Sequence, residues 1–242
     1  MTDRLLIVNA DDFGQSYGIN RGIMKSHECG IVTSASLMVR WPAAAEAATY
    51  SRAHPELSLG LHVDFGEWAY RHGEWTALYT VAPVDDPEAV TDEAYRQLEA
   101  FRRLVGGNPT HIDSHQHMHR DEPVRSVLLD MAQRLSLPLR HDASRVRYCG
   151  DFYGQSAKGY ACPGKISVAG LVEILRGLPS GITELGCHPG AAIDLDTMYQ
   201  CERAAEVRAL CDPRIRATLI AEGIELCSFH RLKDAMPNLG NC

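Results

Sequence analysis

The sequence has no long apolar run. No stretch reaches the roughly 18 residues that a membrane-spanning helix requires, so we expect no membrane span. The apolar stretch before Asn9 is also too short for the core of a secretory signal peptide, and the expected location is therefore the cytoplasm. Positive charge is scarce as well: 24 Lys and Arg stand against 31 Asp and Glu, a formal net charge of −7. Proteins that bind a phosphate backbone usually carry the opposite sign, so nucleic acid is not an expected partner.

Paired cysteine motifs are missing too. The eight cysteines include no Cys-x-x-Cys pair, which leaves zinc-ribbon and thioredoxin-like sites without support. In a cytosolic domain of this size we expect the thiols to be reduced, without a structural disulfide. Histidine, in contrast, is frequent and unevenly spread, because four of the eleven histidines lie between His111 and His119.

Short apolar segments alternate with amphipathic segments along the chain. Seven strands are predicted, at residues 4–8, 31–39, 57–63, 110–114, 137–141, 183–187 and 224–228. Helical stripes of apolar residues between them indicate a parallel sheet covered by helices. Seven repeats fit one closed or nearly closed (β/α) barrel domain over residues 1–242, with an open doubly wound sheet as the alternative. Residues 66–83 and 142–165 show no clean period and are predicted to be irregular.

Acidic and histidine side chains follow four of the predicted strands. They are Asp11 and Asp12 after the first, His62 and Asp64 at the end of the third, Asp113 and His115 at the end of the fourth, and His188 after the sixth. Because the carboxyl ends of parallel strands share one face, we expect these groups to lie on one rim. One carboxylate with two imidazoles is a common ligand set for a catalytic divalent metal, which lowers the pKa of a bound water toward about 7. The unused member of the Asp11–Asp12 pair then offers a base, and His188 an acid.

Other polar and aromatic residues allow two interpretations. Trp68 and Trp75 either stack on a ligand or pack within the protein. Arg140, at the end of a predicted strand, is a candidate substrate contact and the one cation that we can place near the rim. The remaining histidines are isolated in the sequence and are interpreted as surface or packing residues: His27, His54, His72, His141 and His230.

Four motifs, in this order, resemble the YdjC/ChbG carbohydrate deacetylase family, including its hopanoid-biosynthesis-associated, HpnK-like members. They are Asn9-Ala-Asp-Asp-Phe-Gly14, Gly60-Leu-His62, Thr110-His-Ile-Asp-Ser-His115 with His117 and His119, and Cys187-His-Pro-Gly190. The resemblance extends from Arg4 to about Phe229. It implies a distorted (β/α) barrel of about seven parallel strands and the metal-dependent removal of an N-acetyl group from a sugar.

The same resemblance implies roles for individual residues. Asp11 is the expected base; Asp12, His62 and His115 are the expected metal ligands; Asp113 supports a ligand from behind; His188 is an acid or a substrate contact. One divalent ion is expected: Mg²⁺ by resemblance, although two imidazoles favour Zn²⁺, Mn²⁺ or Co²⁺. A homodimer is a further expectation from the family.

The leading hypothesis is hydrolysis of the acetamide of an N-acetylated amino sugar or oligosaccharide, with release of acetate. Trp68 and Arg140 are the expected substrate contacts. One rival is a metal-dependent phosphoester hydrolase, for which Arg140 is the candidate phosphate-binding cation. The other rival is a sugar-binding barrel without catalysis, which needs no base such as Asp11.

Overall fold

A computed structural model describes residues 4–191 and 194–234. The described residues form nine strands and eight helices. The strands are β1 Arg4–Phe13, β2 Ser34–Leu37, β3 Ser58–Val63, β4 Gly66–Arg71, β5 Glu74–Thr80, β6 Ile112–Ser114, β7 Val146–Cys149, β8 Gly181–Cys187 and β9 Ile224–Cys227. The helices are α1 Tyr17–Glu28, α2 Ala44–Ala53, α3 Pro87–Val105, α4 Val124–Leu135, α5 Val168–Gly177, α6 Cys201–Leu210, α7 Pro213–Ala221 and α8 His230–Asp234. A 3₁₀ segment covers His115–Arg120.

Seven of the strands form one parallel sheet that curls into a barrel. Its order is β6-β3-β2-β1-β8-β7, and β9 pairs with the first half of β1. At the β6 end of this sheet, Ile112 makes one isolated parallel bridge to Leu139, which lies outside the regular strands, so the barrel is distorted at that point. This arrangement confirms the predicted (β/α) barrel of about seven parallel strands. No helix in the described part of the chain combines the length and apolar composition needed to cross a bilayer.

Strand β1 is longer than predicted and carries both site aspartates. It continues past Val8 to Phe13, and its pairing with β2 shifts register between Ala10 and Phe13. Asp12, inside this irregularity, has a left-handed φ of 67°. Such a bulge re-aims a side chain. A regular strand would send Asp11 and Asp12 to opposite faces of the sheet, so the irregularity changes the direction of Asp12 relative to Asp11.

The prediction of an irregular segment at 66–83 was wrong, because β4 and β5 form an antiparallel hairpin there. The strands turn at His72 and Gly73, whose φ values are 55° and 95°. Two positive φ angles match the right-handed twist of hairpin strands. The alternation that marks a half-buried strand is missing from the sequence because β5 is mostly exposed on both faces.

The predicted fifth strand at 137–141 was also misplaced. Residues around Leu139 make only the single bridge to β6, and the regular strand β7 lies inside the stretch predicted to be irregular. Pro138 has no N–H to donate to a ladder, and His141, with φ 69°, bends the chain away from extended geometry. The second strand is shorter than predicted, Ser34–Leu37 rather than 31–39.

The seven cysteines in the described residues are free thiols. They are Cys29, Cys149, Cys162, Cys187, Cys201, Cys211 and Cys227. The eighth, Cys242, lies outside the described residues. Of these, Cys187 is fully buried and its thiol donates to the carbonyl of Asn9, so it packs as a small core residue.

Candidate metal centre and active-site cavity

A cavity of about 680 Å³ opens at the carboxyl ends of the barrel strands. Five of the predicted site residues line it together: Asp11, Asp12, His62, His115 and His188. They come from β1, β3, the 3₁₀ segment after β6, and the loop after β8. The rim predicted from parallel strand ends therefore forms. Asp64 does not join it: its buried carboxylate accepts hydrogen bonds from Arg40, Trp41 and Tyr79 instead.

Asp12, His62 and His115 make a compact donor set. One carboxylate oxygen and one nitrogen of each imidazole lie within 4.8 Å of one another, and all three residues are buried. Asp12 Oδ1 is 3.4 Å from His62 Nε2 and 3.0 Å from His115 Nδ1. Nε2 of His115 is buried without a hydrogen-bond partner. One carboxylate oxygen and two imidazole nitrogens, all from buried residues, fit a divalent metal ion.

Asp113 holds His62 from behind. Its Oδ1 is 2.8 Å from His62 Nδ1, so that nitrogen carries the proton and Nε2 faces Asp12. Burial opposes the ionisation of Asp113, but Arg140 and His62 outweigh it and hold the pKa of this carboxyl below its usual range. The carboxylate therefore stays charged and fixes the orientation of the ring.

Asp11 is clamped by Arg140 rather than by the metal-ligand set. The two guanidinium nitrogens Nη1 and Nη2 each lie 2.7 Å from a different oxygen of Asp11. Burial works against the charge of Asp11, yet the contact with Arg140 keeps its pKa below the usual value. A bidentate pair of this kind fixes both the charge and the direction of the carboxylate.

The structure corrects the role expected for Arg140. Its side chain is 1% exposed and does not line the cavity, and Nη2 and Nε also contact Asp113 and Glu184. Its guanidinium group contacts three carboxylates inside the protein, so Arg140 is not placed to touch a substrate. Arg140 is a positioning residue for Asp11.

Three further residues of the site were missed from the sequence. Arg203, on α6, donates to Asp12 Oδ2 at 2.7 Å, and Glu67, on β4, lies 3.6 Å from His115 Nε2. Nothing local marks them, because Arg203 lies 191 residues from its partner. Glu184 offered a signal: a carboxylate inside the buried strand β8 requires a partner.

His188 sits at the edge of the cavity beside Asp11. Its Nε2 is 3.7 Å from Asp11 Oδ2, and its side chain is 18% exposed. Burial lowers the pKa of His188 to about 4, although the neighbouring Asp11 and Asp12 act in the opposite direction. Rings of Tyr153 and Tyr199 lie edge-on or tilted to the imidazole at 5.4 and 5.5 Å. His188 is thus a neutral imidazole fixed next to the clamped carboxylate.

The hairpin of β4 and β5 brings Trp68 and Trp75 to the same cavity. The backbone of Trp68 exchanges two hydrogen bonds with the side-chain amide of Gln116, next to His115. Trp75 remains 51% exposed. The hairpin therefore forms a tethered aromatic wall of the cavity, and a contact of Trp68 with substrate stays a prediction.

Two solved structures share the fold. A protein from Enterococcus faecalis V583, provisionally described as a cellobiose-phosphate cleavage protein, superimposes with a TM-score of 0.75 at 24% identity, over 95% of this chain and 99% of that one. A family 4 acetyl xylan esterase from Clostridium thermocellum, in complex with a cobalt ion, gives a TM-score of 0.56 at 13% identity, over 96% and 91% of the two chains. At these identities the likeness concerns the fold.

Sequence relatives are similar over almost the whole chain. A "carbohydrate deacetylase" of Geobacillus stearothermophilus is 33% identical over 93% of this chain and 97% of its own. A "chitooligosaccharide deacetylase" of Serratia marcescens is 30% identical over 95% and 100%. The family described as YdjC-like protein matches residues 5–221, and this chain belongs to that family.

Proposed function

We propose that this protein is a metal-dependent carbohydrate N-deacetylase, which hydrolyses the acetamide of an N-acetylated amino sugar or oligosaccharide to acetate and an amine. The observation that carries the proposal is the pairing of two neighbouring carboxylates with different partners. Asp12 faces His62 and His115, whereas Asp11 is clamped by Arg140 at the wall of the same cavity. Relatives named carbohydrate and chitooligosaccharide deacetylase support the assignment of the substrate class.

Asp12, His62 and His115 would hold one divalent ion. When bound, such an ion acidifies a water molecule and polarises the acetamide carbonyl. The donor set suits Zn²⁺, Mn²⁺ or Co²⁺ better than Mg²⁺, which prefers oxygen ligands, and a structural neighbour carries cobalt. Asp113 keeps the His62 ring in the orientation that leaves Nε2 free for the ion.

Asp11 takes the proton of the attacking water in this mechanism. Arg140 holds the carboxylate charged and directs its oxygens, so no reorientation is needed when the proton arrives. His188, neutral at rest, receives this proton at Nε2, which lies 3.7 Å from Asp11 Oδ2, and passes it to the departing nitrogen. The bond broken is the amide C–N bond, and the bond formed joins the acetyl carbon to the water oxygen.

The aromatic wall supplies sugar binding. Trp68 and Trp75 offer flat apolar faces to a sugar ring, and a cavity of about 680 Å³ lies within the range of small-ligand sites. Trp75 is exposed, which supports a role for it in binding a second sugar unit of an oligosaccharide.

The two rival functions fit the geometry less well. A phosphoester hydrolase requires cations that face the substrate, but the one Lys or Arg among the described residues lining the cavity is Arg203, which already pairs with Asp12. A purely sugar-binding protein has no use for Asp11 held charged by a buried arginine, because burying such a pair is costly.

The test is a substrate screen on the purified protein with two readouts. Acetate release is measured from N-acetylated mono- and oligosaccharides, and phosphate release from sugar phosphates, with and without chelator. We expect acetate release that chelator abolishes and added divalent metal restores. The matched control is Asp11→Asn, checked by circular dichroism and metal content. Phosphate release without acetate release, or acetate release unaffected by chelator and by Asp11→Asn, would overturn the proposal.

A further inference from the structure

Three histidines that the proposed mechanism does not use lie together at the side of the cavity. His117 and His119 belong to the 3₁₀ segment, and His141 follows Arg140. One ring nitrogen of each lies within 4.8 Å of the other two, and the ring centroids are 5.3 to 5.6 Å apart. His141 is exposed, in agreement with its interpretation as a surface or packing residue, and the bend after Arg140 brings its ring against the histidine run.

In His117 and in His119, one ring nitrogen already has a hydrogen-bond partner. His119 is fully buried, and its Nδ1 lies 2.8 Å from Ser114 Oγ. His117 Nε2 lies 3.4 Å from Tyr148 Oη. The opposite nitrogens, Nε2 of His119 and Nδ1 of His117, are buried without any hydrogen-bond partner. A buried polar atom without a partner is costly, and here two occur in adjoining rings.

We propose that His117, His119 and His141 form a second metal site, separate from the Asp12 set, that takes a borderline transition-metal ion such as Zn²⁺. Three imidazoles are a recurrent zinc donor set, and an all-nitrogen site has little affinity for Mg²⁺. The Ser114 contact of His119 and the Tyr148 contact of His117 are the outer hydrogen bonds that orient metal-binding imidazoles.

The three ring nitrogens need to move only a short distance to bind such an ion. Zn–N bonds of about 2.0–2.1 Å in a tetrahedron place ligand nitrogens roughly 3.3 Å apart, so the three nitrogens must approach by up to about 1.5 Å. His141 is exposed, unlike His119, and its ring is free to make that movement. The exposed side of His141 also gives an ion access from solvent and leaves a fourth position for water.

Occupation of this site would act on the cavity wall. His117 and Tyr148 both line the cavity, and the same 3₁₀ segment carries His115 and the Gln116 amide that tethers the hairpin. An ion that joins His117 and His119 to His141 would tie this segment to the chain beyond Arg140. The site is thus placed to stiffen the wall without contributing a proton-transfer group.

The test counts bound zinc in four proteins. Chelator-stripped protein is saturated with Zn²⁺, passed through a desalting column, and analysed for metal per chain. We expect two ions in the wild type, one in His62→Ala, one in His141→Ala and none in the double variant. In the wild type, excess Mg²⁺ should not displace the zinc of the second site, which is the ion that His141→Ala fails to bind. His141 is exposed, so its removal leaves the fold intact, which circular dichroism verifies.

A matched control guards against surface binding. His54→Ala disrupts His27, His54 and Glu56, a more exposed group that also brings three donor atoms within 4.8 Å. We expect His54→Ala to bind two ions, as the wild type does. One ion in the wild type, or equal zinc in His141→Ala and wild type, would overturn the second site. Retention of both ions in His62→Ala would instead contradict the ligand set of the proposed function.

Discussion

Asp11 and Asp12 are neighbours in the chain but pair with different arginines. Arg140 contacts Asp11, whereas Arg203 contacts Asp12 Oδ2 and leaves Oδ1 toward the two imidazoles. The left-handed backbone of Asp12 produces this division. Burial alone would raise the pKa of both carboxyls, but the arginines outweigh it and lower both pKa values. Both carboxylates are therefore held in the charged form, each by its own partners.

The division predicts different failures for two conservative variants. Asp11→Asn keeps the shape but removes the basic site, so we expect near-normal metal content and turnover reduced by about 10²–10⁴. Asp12→Asn removes a charged ligand, so we expect weak metal binding that excess metal partly rescues. Metal per chain and acetate release, measured on both variants, decide the matter. Metal loss in Asp11→Asn with retention in Asp12→Asn would reverse the two roles.

Arg140 is expected to matter for stability as well as for activity. Arg140→Gln leaves Asp11, Asp113 and Glu184 buried without their cation, which should lower the free energy of unfolding by about 3–5 kcal/mol. Urea denaturation measures the loss. Arg134→Gln breaks an exposed ion pair with Asp130 and serves as the control, with no measurable change expected. If the two variants are equally stable, Arg140 does not stabilise the three buried carboxylates.

At the scale of elements, predictability followed the strength of local signals. Helix α3 has strong local signals in the sequence, because Asp86 caps it, Pro87 opens it, and Gly106 ends it at a φ of 86°. The hairpin and β7 were missed because β5 is largely exposed and β7 is mostly half-buried, and neither shows a two-residue period. Their positions depend on tertiary contacts, such as the Gln116 tether, that no local window contains.

The exposed position of Trp75 on the hairpin predicts that its replacement weakens substrate binding without lowering the stability of the protein. Trp75 is 51% exposed, so Trp75→Ala should change the free energy of unfolding by no more than about 0.5 kcal/mol. Loss of one aromatic stacking contact of about 0.5–1.5 kcal/mol should raise KM for an oligosaccharide roughly 2- to 13-fold. Tyr160→Ala, an exposed aromatic outside the cavity lining, is the control. If the wild type and Trp75→Ala have the same KM, Trp75 does not belong to the sugar-binding site.

Helix α1 sets the position of the His188 loop through a glycine. A Cβ at Gly22 would lie 2.3 Å from Gly190 Cα, and backbone cannot yield as a flexible side chain does. Gly22→Ala should therefore destabilise the protein by about 1–3 kcal/mol and lower kcat by displacing His188, with metal content unchanged. Gly177→Ala, where a Cβ meets nothing within 4 Å, should be neutral or slightly stabilising. Thermal melts and acetate release compare the two alanine variants.

At the scale of the whole molecule, the parallel barrel explains why part of the site could be predicted. Strand ends gather on one rim whatever their exact bounds, so aspartates and histidines at or just beyond the ends of β1, β3, β6 and β8 were expected to meet. Their counter-charges were not predictable in the same way. Arg140 and Arg203 reach partners 129 and 191 residues distant, and only the folded chain decides which charges face each other.

Because the ligands come from distant parts of the barrel, metal binding should stabilise the whole molecule. A metal ion at a free concentration 100 times its Kd adds about 2.7 kcal/mol to the free energy of unfolding. That increase corresponds to a rise in Tm of roughly 5–11 °C for a chain of this size. The measurement is a thermal melt with Zn²⁺ and with chelator in the His141→Ala background, so that only the Asp12 set contributes. Asp12→Asn in the same background should lose most of the rise, because its charged ligand is gone. An equal rise in both proteins would mean that the ion stabilises the fold from elsewhere, and Asp12 would no longer count as its ligand.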